Sequence, residues 1–418
     1  MKYLYQLKNN QLNSVLCPCG EIHSAKYPMV VYADLLQAIS KVLVSGHLLC
    51  LRDEDIDGRV FDPIKKSGGY RVSEDSILPY QNSYLEEIED DVRLVVAVGG
   101  ATLINICKQI AYEINAKLVV LPIYAYRDCI DSTSRVLRDG RLESQRGKIP
   151  DMVVVDYDVI ALSGLEYLMG AYGGLAGELA ILNDYIYRGM RDGKYCPHIV
   201  KAVRSAIVPS IKAIRLNIGL SSQIADASLR VSMLMSMLYS RDSGAIQLVD
   251  TLYAYLSGKT SDVRVYGENI LYTSSIVGKL YESYLRGGEL KLTIPPNRGD
   301  DAEKMRRLLG VEEHKALLNA RGYEIDIDKA SYIMNIIRSK LYPQIQVNNM
   351  MIGVIRRVLF DAYPDKGYFM RNYIGTIETF KLLALAPEYM RGDTMLTYIK
   401  DTGVLEKLGT HLEKNKTR

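Results

Sequence analysis

Val95-Val96-Ala97-Val98-Gly99-Gly100 runs directly into Ala101-Thr102-Leu103-Ile104-Asn105-Ile106-Cys107-Lys108. A short, wholly apolar strand enters a glycine pair, and the pair opens a helix. A strand that is apolar on every residue is buried on both faces, which places it in a parallel sheet covered by helices. The turn has a chemistry of its own. Glycine lets the backbone approach a phosphate, and the unpaired N–H groups at a helix start favour negative charge. The pattern falls one residue short of a dinucleotide fingerprint, because Ala101 stands where a third glycine is wanted.

The surroundings of this turn read as alternating strands and helices. Met29–Tyr32, His47–Leu51, Leu94–Val98, Lys117–Pro122 and Met152–Asp156 are short apolar runs. Ala33–Val44 and Thr102–Asn115 between them carry helical spacing. Gly68-Gly69 and Pro79 punctuate a weaker segment. Beyond about Ile160 the strand-like runs stop. Helical periodicity predicts Leu165–Arg188, Ile199–Leu216, Ser222–Ser240, Ala245–Leu256, Glu268–Leu285, Ala302–Leu309, Ile333–Leu341 and Met350–Ala362. Gly287–Asp300, with Pro295-Pro296, reads as a loop or a domain-surface crossing. The expectation is an α/β, Rossmann-like parallel-sheet domain over residues 1–160, followed by an all-helical domain over 161–418. A chain of 418 residues has room for both cores.

Composition narrows the class. At 48% hydrophobic and 24% charged residues, nothing calls for disorder. Fifty-two basic against 49 acidic residues give no concentrated basic excess, so nucleic acid is not indicated. The basic end Lys414-Asn415-Lys416-Thr417-Arg418 reads as a frayed, solvated terminus. No apolar run reaches the ~18–20 residues of a membrane span. No secretory leader is visible at Met1–Asn10. A cytoplasmic protein is expected. Cys17-Pro18-Cys19 is the one close cysteine pair. A single intervening residue is too few for the usual zinc knuckle, and no second Cys or His pair completes a tetrahedron, so the six cysteines read as buried thiols. Thirty-one Tyr against four Phe and no Trp, with many Ile, Val and Arg, point to a thermophile.

Five segments in sequence order resemble the superfamily of glycerol-1-phosphate dehydrogenases, dehydroquinate synthases and iron-dependent alcohol dehydrogenases, and most of all its archaeal glycerol-1-phosphate branch. Val98–Lys108 resembles V-G-G-G-S/T-x-x-D-x-x-K. Leu121–Ser132 resembles the P-T-x-x-S-H-D-G-x-x-S loop, and Lys148–Ile160 the strand that leaves the nucleotide domain. Gly170–Leu175 with Asn183-Asp184-Tyr185 resembles the first helix of the helical domain. Ala386–Leu396 resembles the C-terminal A-x-x-x-R-x-R-Y-T-I/V-L segment.

The resemblance implies NAD(P)-dependent hydride transfer assisted by a divalent metal, which polarises the substrate oxygen while three side chains hold it. Carried over position by position, the ligand set is missing. The Asp falls on Gly174, the first His on Gln247 and the second near Thr260. Glu178, one turn beyond Gly174, is a carboxylate without partners. None of the five histidines, at 23, 47, 198, 314 and 411, lies in these segments. Metal is therefore not expected. On the nucleotide side Gly99, Gly100, Ala101, Thr102 and Asp53 are the cofactor-binding candidates, with Asp53 or Asp55 placed to meet a ribose hydroxyl. NAD(P) binding is expected to be weakened or lost, since Ala101 adds a methyl, Tyr124 and Tyr126 replace small residues facing the nicotinamide, and Asn105 replaces an Asp. Asp128 and Lys108 survive as vestigial catalytic candidates. The expected role is binding, regulatory or assembly. A phosphorylated small molecule, a nucleotide or a protein is the expected partner, in a homo-oligomer. An active dehydrogenase with an altered metal site is the alternative.

Overall fold

A computed structural model describes residues 13–25, 28–77, 88–123, 126–138, 141–162, 165–216, 220–238, 242–257, 266–286, 327–362, 376–389, 393–403 and 405. The chain divides into two compact units, residues 1–175 with 201–239 and residues 176–200 with 240–418.

The first unit holds a six-stranded sheet. In chain order its strands are β3 Met29–Tyr32, β4 Gly46–Asp53, β5 Tyr70–Ile77, β6 Val92–Gly99, β7 Lys117–Pro122 and β10 Met152–Val155. They lie side by side as β3-β10-β7-β6-β4-β5, every pair parallel. Val95, Val96, Ala97 and Val98 of β6 and Leu118, Val119, Val120 and Leu121 of β7 are all fully buried, as uninterrupted apolar strands in a covered sheet must be. Helix α1 (Leu35–Val42) and helix α3 (Ala101–Glu113) pack on this sheet, and the short helix α2 (Asp62–Lys66) packs on β5. Two small antiparallel hairpins stand apart from it, β1 Asn13–Leu16 with β2 Ile22–Ala25, and β8 Thr133–Arg138 with β9 Arg141–Arg146.

The chain leaves β4 towards β5 on one side, then returns to build β6, β7 and β10 on the other. β4 and β6 therefore flank a topological switch point. In open parallel sheets the crevice for ligands opens beyond the carboxyl ends of such a pair. Asp53 ends β4 and Gly99 ends β6.

α4 (Tyr157–Leu162) leads from the sheet into α5 (Leu165–Asp192), which crosses from the first unit into the second. α6 (Pro197–Leu216) and α7 (Leu220–Met235) follow, then α8 (Gly244–Ser257), α9 (Tyr266–Arg286), α10 (Ile327–Ala362), α11 (Thr376–Tyr389) and α12 (Met395–Asp401). Among the described residues the second half is all-helical, as its periodicity predicts. One expectation changes. Ile333–Leu341 and Met350–Ala362 are parts of a single 36-residue helix that carries Pro343 inside it. Proline removes one N–H and crowds the preceding turn, yet packing of the flanking apolar residues, including Leu341 and Ile345, both fully buried, carries the helix through. The expected helix Ala302–Leu309 and the crossing Gly287–Asp300 lie outside the described residues.

Within the second unit a run of buried and half-buried amides ties three helices together. Asn348 Nδ2 donates to Asn183 Oδ1 (2.8 Å), Asn183 Nδ2 to Asn349 Oδ1 (3.1 Å), and Asn349 Nδ2 to the Gly278 carbonyl (2.8 Å). Each amide fixes its neighbour's orientation, so α5, α9 and α10 meet in one register.

Candidate functional site

The glycine turn is built as its sequence implies, but its donor is engaged. Gly100 stands at the N-cap of α3 with no side-chain cap of its own. Its backbone N–H donates to Asp53 Oδ2 at 2.7 Å. The same carboxylate explains the glycine before it. A Cβ on Gly99 would stand 2.6 Å from Asp53 Cγ and 2.7 Å from Leu103 Cδ2, closer than real Cβ contacts allow. Close approach at Gly99 is therefore an approach to the protein's own Asp53. Burial pushes the Asp53 carboxyl up to about 6, the Gly100 N–H pulls it down, and Asp55 adds a smaller upward push. Gly99, Gly100, Ala101, Thr102 and Asp53 are thus brought to one place at the switch point.

Lys108 and Asp128 also meet, and their contacts are those of an anchor. Lys108 is fully buried in the middle of α3. Its Nζ donates to the Asp128 carbonyl (2.8 Å), to Asp131 Oδ1 (3.2 Å) and to the Thr133 carbonyl. Asn105 Nδ2 reaches the Ala101 carbonyl (2.8 Å) and Asp128 Oδ1 (3.1 Å), and Ser134 Oγ donates to the Asn105 carbonyl (2.7 Å). One face of α3 therefore grips the 128–134 loop. Tyr124 and Thr260 lie outside the described residues.

In the second unit the organising group is Asp184 of α5. Its Oδ2 accepts from Gly244 N (2.9 Å), the first residue of α8. Its Oδ1 accepts from Met395 N (2.7 Å), the first residue of α12, and from the Tyr281 hydroxyl (2.9 Å). A single carboxylate caps two helix N-termini, where orphan N–H groups and the helix dipoles both favour an anion. Arg188, one turn on, donates to the Asp242 and Asp393 carbonyls (2.9 and 2.6 Å), holding the chain just before each helix. The resemblance segments around Asn183-Asp184-Tyr185 and Ala386–Leu396 meet through this clamp. Their joint role is not visible in either segment alone, because it rests on the long-range pairing of residues 184, 244 and 395.

The positions that the resemblance assigns to a catalytic divalent metal offer few of its donors. Gly174 has no side chain, and a Cβ there would meet open space within 4 Å. Gln247 is buried and both ends of its amide are spent. Its Oε1 accepts from Thr394 Oγ1 (2.8 Å), and its Nε2 donates to Thr397 Oγ1 (3.2 Å). Thr394 is the N-cap of α12, accepting from Thr397 N at 3.0 Å. Gln247 thus braces a helix start. A missing side chain and an engaged amide do not fit a zinc centre, which wants thiolate, imidazole or carboxylate donors. Glu178 is buried, and its Oε2 has no hydrogen-bond partner among the described residues.

Comparison with known proteins places this geometry. The family of iron-containing alcohol dehydrogenases matches residues 69–163. The NAD(P)+ glycerol-1-phosphate dehydrogenase of Thermococcus kodakarensis is 25% identical over 175 residues, 39% of this chain and 49% of that protein. Its counterpart in Caldivirga maquilingensis is 31% identical over 100 residues, 23% of this chain and 28% of that protein. The alignments span about half or less of these relatives' length. Among solved structures, an archaeal halo-thermophilic Red Sea brine pool alcohol dehydrogenase aligns with a TM-score of 0.58 at 11% identity, covering 93% of this chain and 98% of that one. The NADH-dependent butanol dehydrogenase A of Thermotoga maritima aligns at 0.53 and 12%, covering 90% of each. The chain shares sequence with the iron-containing alcohol dehydrogenase family over residues 69–163 and with glycerol-1-phosphate dehydrogenases over stretches of 100–175 residues, and it shares the fold of solved alcohol dehydrogenases over nearly its whole length. The motif resemblance is borne out at that level.

Proposed function

We propose that this chain is a catalytically degenerate glycerol-1-phosphate dehydrogenase-like protein with a binding, regulatory or assembly role. Residues 1–160 serve as its nucleotide-binding-type domain and 161–418 as its helical domain. The observation that carries the reading is Gln247. At a position where the family resemblance implies a metal-holding His, its amide is committed at both ends to starting α12. Two further facts support it. Gly174 offers no donor atom, and the Gly100 N–H that would face a pyrophosphate is held by Asp53. The ligand of the turn is a phosphorylated small molecule or nucleotide that displaces Asp53, and NAD(P) binds weakly if at all. The protein works as a homo-oligomer.

The test is turnover. Purified full-length protein, supplied with zinc and dihydroxyacetone phosphate, is expected to leave NADH and NADPH unoxidised at any enzyme concentration that can be reached. Turnover proportional to protein overturns the proposal.

One observation favours the alternative of an active NAD(P)-dependent dehydrogenase with an altered metal site. Glu178 is a buried carboxylate with an unpartnered oxygen, one helical turn beyond Gly174. Any turnover that Glu178→Gln abolishes, with the fold intact by circular dichroism, selects this alternative.

A further inference from the structure

The N-terminal hairpin brings together three side chains that spacing alone kept apart. β1 and β2 pair antiparallel with Val15 opposite His23 and Leu16 opposite Ile22. Side chains alternate across a strand, so position 17, two residues beyond 15, shares the face on which His23 stands. The turn between the strands is tight. Cys17 N donates to the Glu21 carbonyl and Gly20 N to the Cys17 carbonyl, both at 2.9 Å, and Gly20 takes φ +91°, where a side chain would be strained. This reversal folds Cys19 back over the same face. The ligand atoms of Cys17, Cys19 and His23 lie within 4.8 Å of one another, and Cys19 Sγ is 3.3 Å from His23 Nε2.

We infer that Cys17, Cys19 and His23 supply three of the four donors of a tetrahedral zinc site that pins the hairpin shut. Zinc bond lengths of about 2.3 Å to sulfur and about 2.05 Å to nitrogen make the edges of a tetrahedron about 3.8 Å (S···S) and about 3.6 Å (S···N). The observed separations reach those values with small side-chain adjustments. Two soft thiolates and an imidazole select zinc over the hard oxygen-seeking cations. None of the six cysteines is in a disulfide. The hairpin also needs a staple. It is a two-stranded sheet of four residues a side, and on its other face Leu16 and Ile22 are 72% and 66% exposed. Such a ribbon is marginal in water without a third strand or a bound metal. The other His-containing cluster in the described residues, His47 with Glu89 and Asp91, contrasts with it. Arg71 already sits on both of those carboxylates, so a guanidinium fills the place of a cation.

This site is separate from the family metal positions and independent of whether the chain is an enzyme. The test is metal analysis of the full chain purified without chelator, together with Co2+ titration of metal-free protein. The expected result is one zinc per chain, and a cobalt spectrum with tetrahedral d–d bands and a sulfur-to-cobalt charge-transfer band whose intensity counts the thiolates. Cys19→Ala and His23→Ala should each weaken binding at least tenfold, and Glu178→Gln should leave it unchanged. If the variants fail to fold, the wild-type titration decides. Absence of zinc and of a sulfur charge-transfer band in wild-type protein overturns the site. So does a metal that Cys17→Ala, Cys19→Ala and His23→Ala all retain.

Discussion

At the scale of single residues, Asp53 carries the sharpest question about the turn. Two roles predict opposite signs. If Asp53 holds a ribose hydroxyl, its removal weakens nucleotide binding. If it stands in for the phosphate, its removal frees the Gly100 N–H and tightens anion binding. The 2.7 Å contact to Gly100 favours the second. Its carboxyl is pushed up to about 6, so it is charged at pH 7.5 and repels an incoming anion, and protonation below about pH 6 removes that repulsion. We predict that pyrophosphate or ADP binds about tenfold more tightly to Asp53→Asn than to wild type at pH 7.5, by calorimetry. Lowering the pH to 5.5 should close most of that gap, since only the wild type gains. Weaker binding by Asp53→Asn would restore the ribose role. The residue pattern already exposed this much: Asp53 and Gly99-Gly100 were legible as one site because each ends a strand. That the carboxylate would occupy the turn was not legible, because it depends on β4 and β6 being neighbours in the sheet. Lys108 shows the same limit. Its place in a motif suggests chemistry, and its burial under two carbonyls and Asp131 makes it an anchor.

At the scale of elements, the clamp on α8 and α12 rests on one ionisable group. Burial is the largest influence on Asp184 and pushes its carboxyl from 3.8 up to about 6, against the pull of Arg188, of the Met395 and Gly244 N–H groups and of Tyr281. The folded chain therefore holds this proton to about pH 6, while the unfolded chain releases it near 3.8. Stability from this group is fully present below about pH 4 and is lost as pH rises to about 6, an effect of ~3 kcal/mol. We predict that this downward slope between pH 4 and 6.5 is absent from Asp184→Asn and appears in full in the difference between wild type and that variant in denaturant unfolding. Asp184→Ala strands two backbone donors and the Tyr281 hydroxyl together, and should lower stability by ~3–5 kcal/mol at pH 7. An unchanged denaturation midpoint would mean that α12 starts without the clamp.

Elements also show what pattern reading can and cannot see. The apolar strands β4, β6, β7 and β10 and helices α5, α8 and α9 were legible within a few residues, because burial on one or both faces writes its period into the sequence. The strand β5, Tyr70-Arg71-Val72-Ser73-Glu74-Asp75-Ser76-Ile77, was not. It lies at the edge of the sheet, where charged and polar side chains blunt unwanted pairing and erase the apolar signature. The hairpins β1–β2 and β8–β9 are short and polar, and they lie outside the main sheet. Local propensity predicts two helices in place of α10 because Pro343 is a breaker, and tertiary packing overrides it.

At the scale of the molecule, the proposed function separates the fold from the reaction. The parallel sheet, the switch point and the helical half are those of the iron-containing alcohol dehydrogenases, and fold alone does not carry a metal or a hydride. What carries them is a small set of donors; at the positions that the resemblance assigns to these donors, Gly174 has no side chain and Gln247 braces the start of α12. Gly174 and Gln247 differ in how far they can be reversed. Gly174 sits inside α5 with open space around its missing Cβ, so Gly174→Asp replaces the poorest non-proline helix former and should change stability by less than about 0.5 kcal/mol. Gln247→His severs two hydrogen bonds at the start of α12 and should lower stability by ~1–2 kcal/mol. On the proposed reading, which places lost donors at several separate positions, restoring one donor should return no activity. We predict that Gly174→Asp, Gln247→His and the double variant all stay folded and all fail to oxidise NADH with dihydroxyacetone phosphate in the presence of zinc. Measurable turnover in Gly174→Asp alone would mean that the remaining donors, Glu178 foremost, are still set for catalysis, and that one glycine separates this chain from an active dehydrogenase.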